Sequence, residues 1–183
     1  TIIAWIWSRT VPSPDPAYSK VQVPIASSFL LSSKKGQETW IYPEVDRASK
    51  TISYSIRKGG QKTDFETAKK GTKVGRGANF RCLLSETAIT PDYVKAKGKS
   101  GEIGQTLLAI VVKGKGTRLY IEPTTEQEAL AESVKSDWKP ELKLPNHSQY
   151  IGVLGYGFET FGDLFTERQL VLLNTFSEYV LEI

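Results

Sequence analysis

Two short runs hold polar residues at the spacing of metal knuckles. Ser13-Pro14-Asp15-Pro16-Ala17-Tyr18 precedes one stretch of strand-forming residues, and Cys82-Leu83-Leu84-Ser85 follows another. That is the layout of two knuckles flanking a small β-sheet. A structural zinc ribbon needs two ligand pairs, because four thiolates in tetrahedral array neutralise the ion and replace a core. Here Cys82 is the only cysteine. Serine is a poor zinc ligand and tyrosine a rare one, so one thiolate cannot hold structural zinc. Read alone, Cys82 is a small buried hydrophobe, and a disulfide framework within the chain is excluded.

Other chemistries find less support. No Gly-rich loop ends in Gly-Lys-Ser or Gly-Lys-Thr, which argues against a nucleotide triphosphatase. Gly98, Gly101 and Gly104 are spaced by three but lead from a helical turn into a strand. A dinucleotide fingerprint needs the opposite order, so these glycines read as a turn with close backbone approach. His147 is the one histidine, in a polar, proline-flanked loop, and no Gly-x-Ser-x-Gly elbow accompanies it. It reads as a surface residue. No pair of carboxylates stands out as an acid–base couple.

The strongest signal is charge. Residues 57–118 hold 14 Lys/Arg against 5 Asp/Glu, whereas residues 119–183 hold 4 against 11. The net charge of +4 hides a basic middle and an acidic C-terminal third. Lys58, Lys62, Lys69, Lys70, Lys73, Arg76, Arg81, Lys95, Lys97 and Lys99 form a tract opposed only by Asp64, Glu66, Glu86 and Asp92. Such a tract is a footprint for phosphate, and these ten are the candidate DNA-binding residues. The plainer alternative is a solvated lysine-rich surface. Tyr18, Trp40 and Tyr42 fit either base stacking or the core, and the core reading is preferred.

The elements that must position these residues follow from periodicity. Thr1–Trp7 is rich in β-branched and aromatic residues and reads as a buried strand. Pro12, Pro14 and Pro16 then exclude regular structure. Strands are expected at 23–32, 39–45 and 51–57, with Pro43 demoting the second to an edge or bulge. Residues 58–81 are rich in Gly and Lys and read as a mobile loop with little packing of its own. Thr90-Pro91 starts a short helix, and 107–112 is a buried strand to which 118–122 pairs back. Thr125 with Glu128 predicts a capped helix to about Lys135, and Thr166 with Gln169 opens a second. Leu172, Phe176, Tyr179, Val180 and Ile183 give that second helix, at about 166–183, an apolar stripe. No apolar run approaches a membrane span, and the opening lacks the flanks of a secretory signal. The single cysteine fits a cytoplasmic setting. The chain starts at Thr1 and holds no Met, which reads as a fragment or an excised domain.

Several strings together are similar to the central region of a family of large prokaryotic proteins described as adenine-specific DNA methylases containing a zinc ribbon. They are IAWIWSRTV (3–11), PSPDPAY (12–18), SFLLSSKKG (28–36), DYVKAKGKSGEIGQTLLAIV (92–111) and YGFETFGDLFTERQLVLLNTFSEYV (156–180). The family pattern runs Trp-x-x-Arg-Thr-Val, a Cys-Pro-x-Pro-x-Cys knuckle, a lysine-rich turn, a Cys-x-x-Cys knuckle, spaced glycines and a closing Asp-Leu-Phe-Thr-x-Arg-Gln-Leu. The likeness spans Ile3 to Val180, and the closing signature is its most specific piece.

The resemblance places Ser13 and Tyr18 at the first knuckle's cysteine positions, and Cys82 and Ser85 at the second's. The scaffold is kept and three of four thiolates are lost, so no metal is expected. Phe29, Leu31, Trp40, Ile41, Tyr54, Ile56, Leu83 and Leu84 are then the candidate core. Amino-methylating DNA enzymes also use an Asp/Asn-Pro-Pro-Tyr/Phe segment and a Gly-rich loop for S-adenosylmethionine. Neither string occurs here. The resemblance therefore implies an α+β segment of an N6-adenine methyltransferase, inserted in an α/β methylase. A β-rich, degenerate zinc-ribbon-like subdomain with a basic loop is expected over 1–100, and an α/β segment ending in the helix over 101–183. It carries no catalytic residues. S-adenosylmethionine would belong to the parent protein. The partners would be DNA and the rest of the methylase polypeptide, with restriction or phage defence as the setting. The alternative is a non-catalytic module for nucleic-acid binding or protein interaction.

Overall fold

A computed structural model describes residues 1–145 and 152–181. His147, Glu182 and Ile183 lie outside the described residues. The chain is α+β. Strands β1 (Ile2–Pro12), β2 (Gln22–Pro24), β3 (Leu30–Ser32), β4 (Thr39–Asp46) and β5 (Thr51–Lys58) come first. Helix α1 (Lys62–Lys70), the short strands β6 (Phe80–Arg81) and β7 (Ala88–Ile89), and helix α2 (Pro91–Lys99) follow. Strands β8 (Gly104–Lys113) and β9 (Arg118–Ile121) lead to helix α3 (Thr125–Ser133), two single 3₁₀ turns at Gly152–Tyr156 and Gly162–Leu164, and helix α4 (Glu167–Leu181).

The strands form three antiparallel sheets, ordered β2-β1-β8-β9, β3-β4-β5 and β6-β7. β1 pairs with β8 from Ile2↔Val112 to Thr10↔Gly104. One sheet thus joins the segments on either side of residue 100. A register shift interrupts this pairing between Ile6 and Trp7, and Glu128 from α3 accepts the Leu107 N–H there at 2.8 Å. Two core clusters fill the interior. One gathers Val11, Val23, Phe80, Cys82, Leu84, Ile89 and Val94, and the other gathers Phe29, Trp40, Ile41, Ala68, Leu108 and Ala109. Of the expected core, Phe29, Trp40, Ile41 and Leu84 are buried, and Leu31, Tyr54, Ile56 and Leu83 are half-buried against the second cluster. Burial pushes the Tyr54 phenol well above its ordinary range, with the nearby Glu128 carboxylate adding to the rise.

Several local expectations are corrected. Residues 58–81 are not an unpacked loop. They contain α1, and Ala68, Thr72, Ala78 and Phe80 are buried. Phe65 and Ala68 stand three apart on one face of the helix, and the Phe65 ring meets Trp40 edge-on at 6.4 Å. The Thr72 hydroxyl then donates to the Pro24 carbonyl at 2.9 Å and accepts the Ala26 N–H at 3.0 Å. Those bonds also break the single strand expected at 23–32. The chain leaves β1 after Pro24, gives the Phe29 N–H to the Ala68 carbonyl at 2.7 Å, and enters the second sheet.

The opening strand is not buried at its start. Ile2, Ile3 and Trp5 are 41%, 51% and 53% exposed, because one face of this end of the sheet has no cover among the described residues. α3 is capped one residue earlier than expected, by a reciprocal box between Thr124 and Gln127, and it ends at Ser133. Pro43 sits where β3 has already ended, so β4 is locally an edge and the missing N–H costs no ladder bond.

The glycine spacing has a packing cause. A Cβ on Gly98 of α2 would collide with the Tyr156 carbonyl, and one on Gly157 would collide with the Lys95 carbonyl. The helix and the turn after Gly152–Tyr156 therefore meet backbone to backbone. α2 is held from its other end by the Thr90 cap and by the Tyr93 hydroxyl, which donates to the Pro12 carbonyl at 3.0 Å.

Candidate nucleic-acid interface and the Cys82 knuckle

The β6-β7 hairpin closes through a tight turn that carries Cys82. The Cys82 N–H donates to the Thr87 carbonyl at 2.9 Å and its carbonyl accepts the Glu86 N–H at 2.9 Å. Glu86 takes a left-handed φ of 61°, a conformation usually left to glycine. From the other side comes the turn after β1, closed by Ser13 N–H to Val21 carbonyl at 2.9 Å and Tyr18 N–H to Asp15 carbonyl at 2.9 Å. The two turns meet where the Ser13 hydroxyl lies 3.3 Å from the Cys82 sulfur, both side chains being buried. Burial raises the thiol, but hydrogen bonds from Ser13 and Ser85 and from the Ser85 and Leu84 N–H groups outweigh it. The net result is a thiol below its ordinary value. Tyr18 packs half-buried against the same cluster, with the Lys50 ammonium 5.8 Å from its ring centre.

Of the four knuckle positions, Ser13 and Cys82 are thus hydrogen-bonded, Ser85 stands three residues on in the same turn with its hydroxyl on Thr87, and Tyr18 packs at the edge. The donor set does not fit zinc. Three of the four groups are hydroxyls, and among the described residues no cluster of three or more His, Cys, Asp or Glu could hold a metal ion. Of the three spaced glycines, Gly98 is filled by Tyr156 and Gly104 faces the Thr10 hydroxyl, whereas Gly101 meets open space.

The ten cations divide into two groups. Lys58 ends β5, Lys62, Lys69 and Lys70 lie on α1, Lys73 and Arg76 on the turn after it, and Arg81 on β6. Among the described residues Lys58, Lys62, Lys69, Lys70, Arg76 and Arg81 are exposed and enter no ion pair. Lys73 is half-buried, its ammonium 5.8 Å from the Phe80 ring centre. The α2 cations are more occupied. Lys97 bonds Glu102 at 2.9 Å and Lys99 bonds Glu159 at 3.2 Å, which leaves Lys95 free of a carboxylate among the described residues. Trp40 is core, whereas Tyr42 is 46% exposed with the Arg57 guanidinium 4.8 Å from its ring centre.

The charge count missed two arginines outside the tract. Arg9 on β1 and Arg168 on α4 are both half-buried, and neither pairs with a carboxylate among the described residues. They sit in strings that periodicity marks as strand and helix. Only the three-dimensional approach of β1 to the start of α4 brings them together.

No family model, curated protein or solved structure matches the chain.

Proposed function

We propose that the chain is an internal segment of an S-adenosylmethionine-dependent DNA N6-adenine methyltransferase, supplying scaffold and DNA contacts rather than catalytic groups. The observation that carries the DNA contact is the set of six exposed cations around α1 and its flanking turns, unpaired among the described residues. The meeting of Ser13 and Cys82 supports a degenerate zinc-ribbon-like scaffold, since the resemblance assigns those positions to two knuckles flanking a small sheet. S-adenosylmethionine and the target adenine are then held by other parts of the parent polypeptide. The setting is the prokaryotic cytoplasm, in restriction or phage defence. No helix among the described residues is long and apolar enough to cross a membrane.

A second reading, a non-catalytic interaction module, is favoured by α4. Its Leu172, Phe176 and Val180 are 54%, 62% and 72% exposed. Under the first reading this face packs on the rest of the methylase. A parent polypeptide carrying an Asp/Asn-Pro-Pro-Tyr/Phe segment and a Gly-rich cofactor loop decides for the enzyme, and one lacking both decides for the module.

The DNA contact is tested by salt dependence. Binding to duplex DNA is expected to be weak and indifferent to sequence. The slope of log affinity against log salt should be on the order of −3 to −5 if three to six cations engage. Replacing Lys69, Lys70 and Arg76 with Gln should flatten that slope by about 2.7 and weaken all duplexes alike. An unchanged slope and affinity would leave the tract a solvated surface and remove the DNA role.

A further inference from the structure

A cleft of about 590 Å³ opens between the β1-β8-β9 sheet, the β2–β3 connection and the turn around Tyr156. That volume lies within the roughly 300–1,000 Å³ of small-molecule sites. Its walls are apolar and aromatic, with Trp7, Tyr120, Tyr156 and Phe158 among them. The Tyr156 and Phe158 rings stack with centroids 6.5 Å apart and planes 22° from parallel. Two arginines, Arg9 and Arg118, line it, and no Asp or Glu among the described residues does.

Arg9 is the central charged group of the cleft. Its guanidinium lies 5.6 Å from the Phe158 ring centre and donates to the Leu164 carbonyl at 3.1 Å, its one side-chain hydrogen bond among the described residues. Arg168 stands behind it, 3.9 Å from the Trp7 ring centre and bonded to Gln105 at 3.0 Å, with its Nε buried and without a partner among the described residues. Burial lowers both guanidinium pKa values, and Arg9 lowers that of Arg168 further. A desolvated cation without a counter-charge is costly, and a second one nearby adds to the cost. An anion in the cleft would offset both, and the aromatic walls select what accompanies it.

We propose that this cleft binds a nucleotide, its planar base against the aromatic walls and its phosphate on Arg9. The described lining offers no carboxylate, histidine or thiol to act as acid or base. None of the ten tract cations takes part, so the site stands or falls apart from the DNA reading.

Calorimetric titration of the whole chain tests it, with adenosine 5′-monophosphate, a short oligothymidylate, adenosine and S-adenosylmethionine as probes. The monophosphate should bind, inorganic phosphate should compete, and adenosine should bind at least about tenfold more weakly for want of a charge-assisted contact. S-adenosylmethionine, which brings a cationic sulfonium and no phosphate, should not bind measurably. Arg9→Gln should weaken the monophosphate about tenfold or more. Because Arg9 also bonds Leu164, Arg9→Lys provides a second variant that keeps the charge, with an expected loss of about threefold. Tighter binding of the oligonucleotide than of the monophosphate assigns the site to a strand, and equal binding to a free nucleotide. The proposal is overturned if no nucleotide binds at millimolar concentration. It is equally overturned if S-adenosylmethionine binds as well as the monophosphate, if inorganic phosphate does not compete, or if a folded Arg9→Gln protein binds unchanged.

Discussion

Gly157→Ala is expected to destabilise the protein by about 3 kcal/mol or more, near the upper end of what overpacking costs. Two causes add. The residue has φ 82°, which a side chain adopts only with strain. The new Cβ would also press on the Lys95 carbonyl and stand 2.8 Å from the Lys99 nitrogen. Neither neighbour can yield cheaply, because both are backbone atoms of α2. Gly98→Ala meets the same contact from the other side, against the Tyr156 carbonyl. Gly101 supplies the control. It has φ 71° but nothing within 4 Å of an added methyl, so Gly101→Ala should cost only about 1 kcal/mol. Urea unfolding of the three variants measures the difference. For a chain of this length the tight-contact variants should lose about 6–12 °C in Tm. Equal losses for Gly157→Ala and Gly101→Ala would show that backbone conformation alone, and not the close approach, sets these glycines. The close approach also carries a consequence for the cleft. Moving α2 away from the turn would move Tyr156 and Phe158, so nucleotide binding should weaken along with stability.

How far the fold was legible depended on how locally each element is determined. β4, β5, β8 and β9 carry dense β-branched and aromatic runs, and their expected spans match within one to three residues at each end. α2 and α4 are marked by Thr90-Pro91 and by the apolar stripe after Thr166. What could not be read was set by partners distant in the chain. α1 has only Phe65 and Ala68 as apolar anchors in a lysine-rich window, and it exists because Trp40 and the Thr72 hydroxyl receive it. β2 and β3 look like one apolar run, and only the bonds to Thr72 and Ala68 show why the chain turns between them. The knuckle was half legible. The resemblance put Ser13, Tyr18, Cys82 and Ser85 on two turns flanking a small sheet, and the hydrogen bond between Ser13 and Cys82 was not readable from it. The arginines of the cleft were not legible at all, because a charge count favours dense tracts over two cations made costly by burial.

Replacing Ser13, Tyr18 and Ser85 together by Cys is expected to turn a chain whose donor set does not fit zinc into one that binds it tightly. Around a tetrahedral ion with Zn–S bonds of about 2.3 Å, neighbouring sulfurs lie about 3.8 Å apart. Ser13 Oγ and Cys82 Sγ are already 3.3 Å apart, so that pair needs little adjustment. Ser85 follows Cys82 by three residues in the same turn, but its hydroxyl is donated to the Thr87 hydroxyl at 3.0 Å, so a cysteine there must turn toward the sulfur. Structural zinc sites of this kind are worth about 10–16 kcal/mol in apparent binding energy. Even a fraction of that would raise Tm through mass action. Tyr18→Cys alone removes a half-buried ring and should destabilise the apoprotein, so the variant is prepared reduced and with zinc present. Cobalt substitution reports the geometry, through the absorption of a tetrahedral thiolate site, and chelator challenge reports the affinity. The double variant with Ser13→Cys and Ser85→Cys should bind zinc more weakly, with three thiolates and an open fourth position. If the folded triple variant holds metal no better than the double, Tyr18 does not converge on Cys82. The knuckle would then be an ordinary turn in an apolar core, and the proposed reading of the scaffold as a degenerate zinc ribbon would be dropped.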